Sequence, residues 1–312
     1  MNENAGIFVA GARGLVGAAI CRALASRGFT RILAPSRSAL DLRDRTAVER
    51  FFTAERPDYV FLAAAKVGGI AANDSYPADF IRDNLEIQTN VIDAAYRAGT
   101  RKLCFLGSSC IYPRLAPQPL QESSLLTGPL EPTNQWYAIA KIAGIKMCQA
   151  YALQHGFNAI SVMPTNLYGP GDNFDLQTSH VLPALLRKFD AAKASGSSDV
   201  TVWGTGTPRR EFLYVDDLAD ALCFLMERYD SPEIINVGWG EDVTIAELAE
   251  LIAGIVGFRG TVVFDRSKPD GTPRKLLDVG KLNALGWRPR TPLAAGIRAT
   301  YDWYRANVAD RS

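Results

Sequence analysis

Gly6-Ile7-Phe8-Val9-Ala10-Gly11-Ala12-Arg13-Gly14-Leu15-Val16-Gly17 joins a short apolar run to a glycine-rich turn. The run at 6–10 reads as a buried strand of a parallel sheet, where both faces are covered and the pattern is continuously apolar. Glycines follow at i, i+3 and i+6, and an amphipathic pattern then continues to about Arg27. Glycine at these positions allows a tight turn, an approach of backbone to a pyrophosphate, and close packing of helix on strand. The helix start behind them favours an anion, because its first amide groups have no partner within the helix. Alone, such a turn also serves simply to connect two elements. Between a strand and a helix it points to a dinucleotide site made of Gly11, Ala12, Arg13, Gly14, Leu15, Val16 and Gly17.

Downstream, 31–34 reads as the second strand and ends near Arg37. A free ribose 2′-hydroxyl usually meets Asp or Glu at this place, whereas a 2′-phosphate calls for Arg. Arg37, with Arg13 in the turn, predicts NADP rather than NAD. Asp44 is placed to cap a helix over 45–54, and 59–65 reads as the third strand. Residues 66–70 follow it and are expected to line the cofactor crevice. A long helical pattern covers 77–98, and 102–107 is the fourth strand. This alternation predicts an α/β fold, a Rossmann-type doubly wound parallel sheet with a smaller C-terminal substrate-binding lobe. The expected division is 1–165 plus 213–256 for the cofactor domain, and 166–212 plus 257–312 for the substrate lobe.

The 312 residues are 47% hydrophobic and 21% charged, enough for a large core. Lys+Arg number 34 against 33 Asp+Glu, and no long basic run occurs, so non-specific binding to nucleic acid or to a membrane surface is not suggested. No apolar stretch approaches the length of a membrane span. The first residues lead into a strand with no basic region or cleavage site, which reads as a cytoplasmic protein. Five cysteines show no metal-type or disulfide spacing and suit a reducing compartment. No metal-ligand cluster is evident.

Tyr137-Ala138-Ile139-Ala140-Lys141 puts a phenol and an ammonium four residues apart in an alanine-rich helical run. Both side chains then leave one helix face, where the ammonium should lower a phenol pKa that is ordinarily about 10. Such a tyrosine suits acid–base work on a carbonyl, although the pair also fits a solvated helix face. Ser108 follows the fourth strand and should point into the ligand crevice, where it could donate to a substrate carbonyl.

The glycine turn, Ser108 and the Tyr137/Lys141 pair, in this order, resemble the extended short-chain dehydrogenase/reductases. Longer stretches narrow the resemblance: Ala63-Ala64-Ala65-Lys66-Val67-Gly68-Gly69-Ile70, Leu106-Gly107-Ser108-Ser109-Cys110-Ile111-Tyr112-Pro113, Leu130-Glu131-Pro132-Thr133-Asn134, Met163-Pro164-Thr165-Asn166-Leu167-Tyr168-Gly169-Pro170, Ser179-His180-Val181 and Ser267-Lys268-Pro269-Asp270-Gly271-Thr272-Pro273-Arg274-Lys275 are all similar to the GDP-L-fucose synthase family. That family converts GDP-4-dehydro-6-deoxy-D-mannose to GDP-L-fucose by epimerising C3 and C5 and then reducing C4 with NADPH. The resemblance implies Ser108, Tyr137 and Lys141 as the reductase triad, and Cys110 with His180 as the epimerisation acid/base pair. It implies cofactor contacts from Leu106, Gly107, Lys141, Pro164, Thr165, Asn166, Leu167 and His180, and substrate contacts from Lys188, Trp203, Arg210 and Asp270. A homodimer through two long helices is also implied. Gln135-Trp136 and Pro35 depart from the family's pattern.

The chemistry fits these residue types. A 4-keto group acidifies the protons on C3 and C5, because each carbanion is stabilised as an enolate. A thiolate or imidazole exchanges protons near neutrality. By itself Cys110 reads as a buried thiol, and His180 as a residue at a helix start as readily as a catalyst. His155 reads as an exposed helix end, and Asp216 and Asp217 as helix-start charges. Two rivals stand beside this reading: another NAD(P)-dependent nucleotide-sugar epimerase or dehydratase, and a non-catalytic dinucleotide-binding regulator.

Overall fold

The first strand, β1 (Ile7–Ala10), is buried along its whole length. A computed structural model describes residues 1–268 and 270–309. In chain order β1 is followed by α1 (Leu15–Ser26), β2 (Ile32–Leu33), α2 (Arg45–Glu55), β3 (Tyr59–Leu62), α3 (Ile70–Ser75), α4 (Pro77–Arg97), β4 (Lys102–Leu106), α5 (Gln135–His155) and β5 (Ala159–Pro164). The chain then passes through β6 (Asn166–Tyr168), α6 (Val181–Ser195), β7 (Asp199–Trp203), β8 (Arg209–Arg210), β9 (Phe212–Tyr214), α7 (Val215–Arg228) and β10 (Ile234–Val237). Its last elements are β11 (Val243–Thr244), α8 (Ile245–Val256), β12 (Thr261–Asp265), β13 (Arg274–Lys275), α9 (Gly280–Ala284) and α10 (Leu293–Asn307).

The main sheet has the order β10-β5-β4-β3-β1-β2 and is parallel throughout. Side chains alternate between its two faces. Ile7 and Val9 face a layer with Ile20 and Leu24 of α1 and Leu218 and Leu222 of α7. Phe8 and Ala10 face the other layer, with Phe52 of α2, Val91 of α4 and Ile145 of α5. Each strand thus needs apolar residues at successive positions, which is the continuous pattern seen at 6–10. Asp44 caps α2 by accepting from the Ala47 amide at 3.0 Å, and Thr244 forms a reciprocal cap with Glu247 at the start of α8.

A third cluster forms the smaller lobe. It packs Leu182, Leu186 and Phe189 of α6 against Leu248 and Ile252 of α8 and Ile297 and Tyr304 of α10. The sequence places 213–256 with the cofactor domain, whereas α8 buries its apolar face in this third cluster and not on the parallel sheet. An amphipathic stripe states that a helix packs, and only the tertiary structure chooses its partner. Pro269 of the motif at 267–275 and the final residues 310–312 of the expected substrate lobe lie outside the described residues. Among the described residues no helix is long and apolar enough to cross a membrane.

Several small sheets carry the lobe's working residues. β8 pairs antiparallel with β11 and parallel with β13, so Arg209 faces Arg274 and Arg210 faces Lys275. Side chains of direct partners leave the same face, and successive residues leave opposite faces. Arg209 and Arg274 both bind the Asp242 carboxylate, which is almost wholly buried. That clamp turns Arg210 and Lys275 together to the other face. Glu211, itself fully buried, accepts from the amides of Gly240 at 2.7 Å and Leu277 at 3.0 Å and ties this sheet to β10.

Candidate active site

The glycine turn leaves β1 and crosses the carboxyl end of the sheet. Gly11 has φ +85°, and a Cβ there would lie 2.8 Å from the Ala64 backbone. At Gly17 a Cβ would meet the Gly11 carbonyl oxygen at 2.1 Å, so α1 approaches the strand more closely than any side chain permits. The strand expected over 59–65 pairs only to Leu62, and Ala63 to Ala65 instead run as loop beneath this turn.

The turn is built for an anionic ligand. Gly14 caps α1 with no side-chain hydrogen bond, and the first turn of the helix holds no acidic residue. A Cβ on Gly14 would touch only the Gly11 carbonyl at 3.5 Å, leaving open space outward. Arg13 and Arg37 are exposed beside it. Asp41, the nearby acid, is held by Arg43, first by its hydrogen bond, and its pKa is lowered to about 2. These features fit a phosphorylated dinucleotide.

Ser108, Cys110 and Tyr137 converge beyond β4. Ser108 caps a single 3-10 turn, Ser109–Ile111, and its Oγ accepts from the Cys110 amide at 3.2 Å. The same hydroxyl favours ionisation of both the Tyr137 phenol and the Cys110 thiol. Burial raises the phenol pKa well above its ordinary range, and the Cys110 charge adds to this while Ser108 opposes it. Lys141 is buried beside Tyr137. Its Nζ donates to the Leu106 carbonyl at 2.8 Å and lies 5.0 Å from the Phe105 ring centroid and 5.7 Å from that of Tyr137. The ammonium thus lies between the sheet and the tyrosine's ring. Burial lowers the pKa of Lys141 to about 8.

Cys110 sits in a cationic setting. Its sulfur accepts from Lys275 Nζ at 3.3 Å and from Asn134 Nδ2 at 3.4 Å. Burial pushes the thiol upward, but the Lys275 charge and the hydrogen bonds from Ser108 and Lys275 bring its pKa below the ordinary value. His180 caps α6 with no side-chain bond to the helix, so its ring is available for other work. Its pKa is lowered, first by the surrounding protein and then by the Lys275 ammonium. Ser108 meets Cys110, Lys141 lies beside the Tyr137 ring, and the charge of Lys275, which meets the Cys110 sulfur, also acts on His180. Lys275 and Asn134 close two of the quoted motifs, yet no spacing ties either to Cys110.

The loop between β6 and α6 reaches across to the cofactor side, where Gly69 donates to the Thr178 carbonyl at 3.2 Å. On it, burial pushes the Asp172 carboxyl up to about 7. Asp172 Oδ2, Ser179 Oγ and Asn134 Oδ1 are buried without a hydrogen-bond partner. Such atoms mark places that a polar ligand or water completes. Thr165 and Asn166 are held beside this loop by hydrogen bonds to the Glu211 carbonyl at 3.3 and 2.8 Å.

Trp203 is 65% exposed, and the ammonium groups of Lys188 and Lys268 each lie 5.6 Å from its ring. Asp270 accepts from Thr205 N at 2.8 Å and Thr205 Oγ1 at 2.7 Å, which lowers its pKa. A Cβ on Gly204 would meet Asp270, and one on Gly271 would meet Arg210, so the four expected substrate residues border one continuous surface. The residues that look like helix-start charges have more specific roles. Asp217 accepts from the amides of Arg290 and Thr291 at 3.2 and 2.8 Å, and Asp216 pairs with Arg22. His155 is exposed, as expected, and stacks on Tyr96.

Comparison with known proteins places this geometry. The model of the NAD dependent epimerase/dehydratase family matches residues 7–238. The chain is 64% identical over 303 residues to a probable GDP-L-fucose synthase 1 of Oryza sativa subsp. japonica, covering 97% of this chain and 92% of that protein. It is 56% identical to the GDP-L-fucose synthase of Escherichia coli strain K12, covering 96% and 97%. Among solved structures, the GDP-L-fucose synthetase of Naegleria fowleri bound to NADP superposes with TM-score 0.92 at 33% identity, covering 98% of this chain and 94% of that one.

Proposed function

The chain belongs to the NAD dependent epimerase/dehydratase family, and we propose that within it the protein converts GDP-4-dehydro-6-deoxy-D-mannose to GDP-L-fucose, epimerising C3 and C5 and reducing C4 with NADPH. The observation that carries this is the setting of Cys110: its amide donates to Ser108 Oγ at 3.2 Å and its sulfur accepts from Lys275 Nζ at 3.3 Å, so a thiol disposed to ionise adjoins the reductase serine. A simple ketone reductase needs the serine and has no use for the thiol.

In this reading Cys110 and His180 exchange protons on opposite faces of the sugar. One removes a proton from carbon, the electron pair moves onto the C4 oxygen as an enolate, and the other returns a proton from the opposite side. Ser108 donates to that oxygen and steadies its developing charge. Tyr137, held protonated by burial, donates its phenolic proton to the same oxygen in the reduction. NADPH, when bound, supplies the hydride for C4. The turn 11–17, Arg37, Leu106 and Gly107, and 164–167 would hold the cofactor. Lys141 Nζ donates to the Leu106 carbonyl and keeps two further N–H donors able to bond the nicotinamide ribose.

Lys188, Trp203, Arg210 and Asp270 would bind the GDP moiety, the aromatic face taking the base and the cations the diphosphate. In this reading the parallel sheet and its helices serve the cofactor, and the lobe built on α6, α8 and α10 serves the substrate. We also assign a homodimer through α4 and α5. Trp136, Ile139 and Leu153 form an exposed apolar stripe on α5 that supports it, and sedimentation of a Leu153→Glu variant tests it. Five free thiols and a nucleotide-sugar substrate support a cytoplasmic setting.

The test incubates the protein with GDP-4-dehydro-6-deoxy-D-mannose and NADPH in deuterated water. NADPH oxidation with deuterium at both C3 and C5 is expected. Retained cofactor with no net oxidation would favour an epimerase or dehydratase, and no turnover a binding protein.

A further inference from the structure

Lys275 reaches Cys110 from the opposite lobe, across 165 residues of chain. We propose that Lys275 is a positioning residue that keeps Cys110 as a thiolate in the resting enzyme. The proposal rests on the assignment of Cys110 to proton exchange only for its consequence, since the ionic state of the sulfur is measurable without turnover.

The geometry supports it from both partners. Lys275 Nζ at 3.3 Å and Asn134 Nδ2 at 3.4 Å both direct donors at one sulfur. A thiolate accepts from both, whereas a thiol accepts weakly and carries its own proton. On the other side, Lys275 is aimed by its strand. Arg209 and Arg274 share the buried Asp242 carboxylate, which fixes the register of β8 and β13 and sends Arg210 and Lys275 to the opposite face. The ammonium is therefore presented by a clamped sheet and not by a free surface side chain.

The other groups around the sulfur leave Lys275 as the cation that acts on it. Ser108 and Asn134 are neutral, and the Tyr137 phenol is held protonated. Arg114 and Glu131, which line the same small cavity, pair with each other at 3.1 Å, and Arg274 is taken by Asp242. The Lys275 charge also acts on His180. One ammonium thus makes the thiolate easier to form and protonated His180 a stronger acid. Proton abstraction then breaks a C–H bond, forms the S–H bond of Cys110 and leaves the electron pair on the 4-keto oxygen.

Register places Arg210 directly beside Lys275, so the same sheet carries an expected substrate contact and the activating ammonium. Seating of the GDP moiety and ionisation of the base are built into one element.

The experiment is the pH dependence of alkylation of Cys110 by iodoacetamide, followed by peptide mass spectrometry, in the intact protein without substrate. Displacement forms the S–C bond and releases iodide. The wild-type midpoint should lie below that of an ordinary thiol, about 8.5. Lys275→Met should raise it by about one pH unit or more, slowing alkylation at pH 7 about tenfold, and Lys275→Arg should restore most of the rate. In the same variant the pH profile of C3 and C5 exchange should move to higher pH, with kcat affected more than KM. A wild-type midpoint at or above 8.5 overturns the proposal whether or not the variants fold, as does an unchanged midpoint in folded Lys275→Met. If alkylation shifts as expected while wild-type protein exchanges no deuterium, the functional reading fails and the role of Lys275 stands.

Discussion

The Lys141 ammonium lies 5.7 Å from the centroid of the Tyr137 ring and donates to the Leu106 carbonyl at 2.8 Å. Helical spacing brings the two side chains to one face, but the Leu106 carbonyl draws the ammonium toward the sheet. Burial lowers the Lys141 pKa to about 8, below its ordinary 10.5. Between these values the unfolded chain binds the proton that the folded chain has released, so stability rises with pH across this window. Lys141→Met should remove that rise, reducing the gain in unfolding free energy between pH 7.5 and 10.5 by about 3 kcal/mol. Urea unfolding of both proteins at several pH values measures it. Equal pH slopes would show that the ammonium is not desolvated in this way.

Tyr137 and Cys110 share a neighbour yet should separate by function. Tyr137→Phe keeps the ring and removes the proton donor. Reduction should fall by roughly 10²–10⁴-fold while deuterium exchange at C3 and C5 persists. Cys110→Ser should do the reverse, suppressing exchange in the substrate while NADPH still binds. Mass spectrometry of recovered sugar beside NADPH absorbance reads both. Loss of both activities together in Tyr137→Phe, in a folded protein that binds NADPH, would refute separate roles.

Arg37 stands exposed at the end of β2, and the nearby Asp41 is already occupied by Arg43. Arg37→Ala should raise KM for NADPH about tenfold, the loss of about 1.4 kcal/mol of a charge-assisted contact, and leave KM for NADH nearly unchanged. A parallel change for both cofactors would place the 2′-phosphate elsewhere.

Glu211 holds the junction of the two lobes. Its carboxylate accepts from the Gly240 and Leu277 amides, and its carbonyl accepts from Thr165 and Asn166. Glu211→Gln turns one acceptor into a donor against a backbone N–H and should destabilise the fold by about 1–3 kcal/mol. Thermal unfolding measures this, and the KM for the GDP-sugar should rise as β8 and β13 lose their tether. A variant with unchanged melting temperature would show that water replaces the lost acceptor.

The parallel sheet was legible because its signals are local. Continuous apolar runs at β1, β3, β4, β5 and β10, the glycine turn and the Asp44 and Thr244 caps each act over a few residues. The small lobe was legible only in pieces. Strands as short as β8 and β13 carry no periodicity, and the stripe of α8 fits a sheet face or a helical cluster equally well. Asn134 and Lys275 could be quoted within motifs, but their common target was not visible, because nothing in the chain states that residues 24 and 165 positions from Cys110 meet its sulfur.

The glycine turn, set between a continuous apolar run and an amphipathic pattern, determined a strand, a sharp turn and a helix packed close upon that strand. That followed because φ, Cβ volume and unpaired amides are properties of the residues themselves. Tertiary structure decided what those residues face. It drew Lys141 to the Leu106 carbonyl beside the Tyr137 ring, packed α8 in the third cluster, and brought Lys275 to Cys110 through a clamped strand. Charge acts over a few ångströms of space and not over positions in the chain, so the pairing of Lys275 with the Cys110 sulfur exists only in the folded chain.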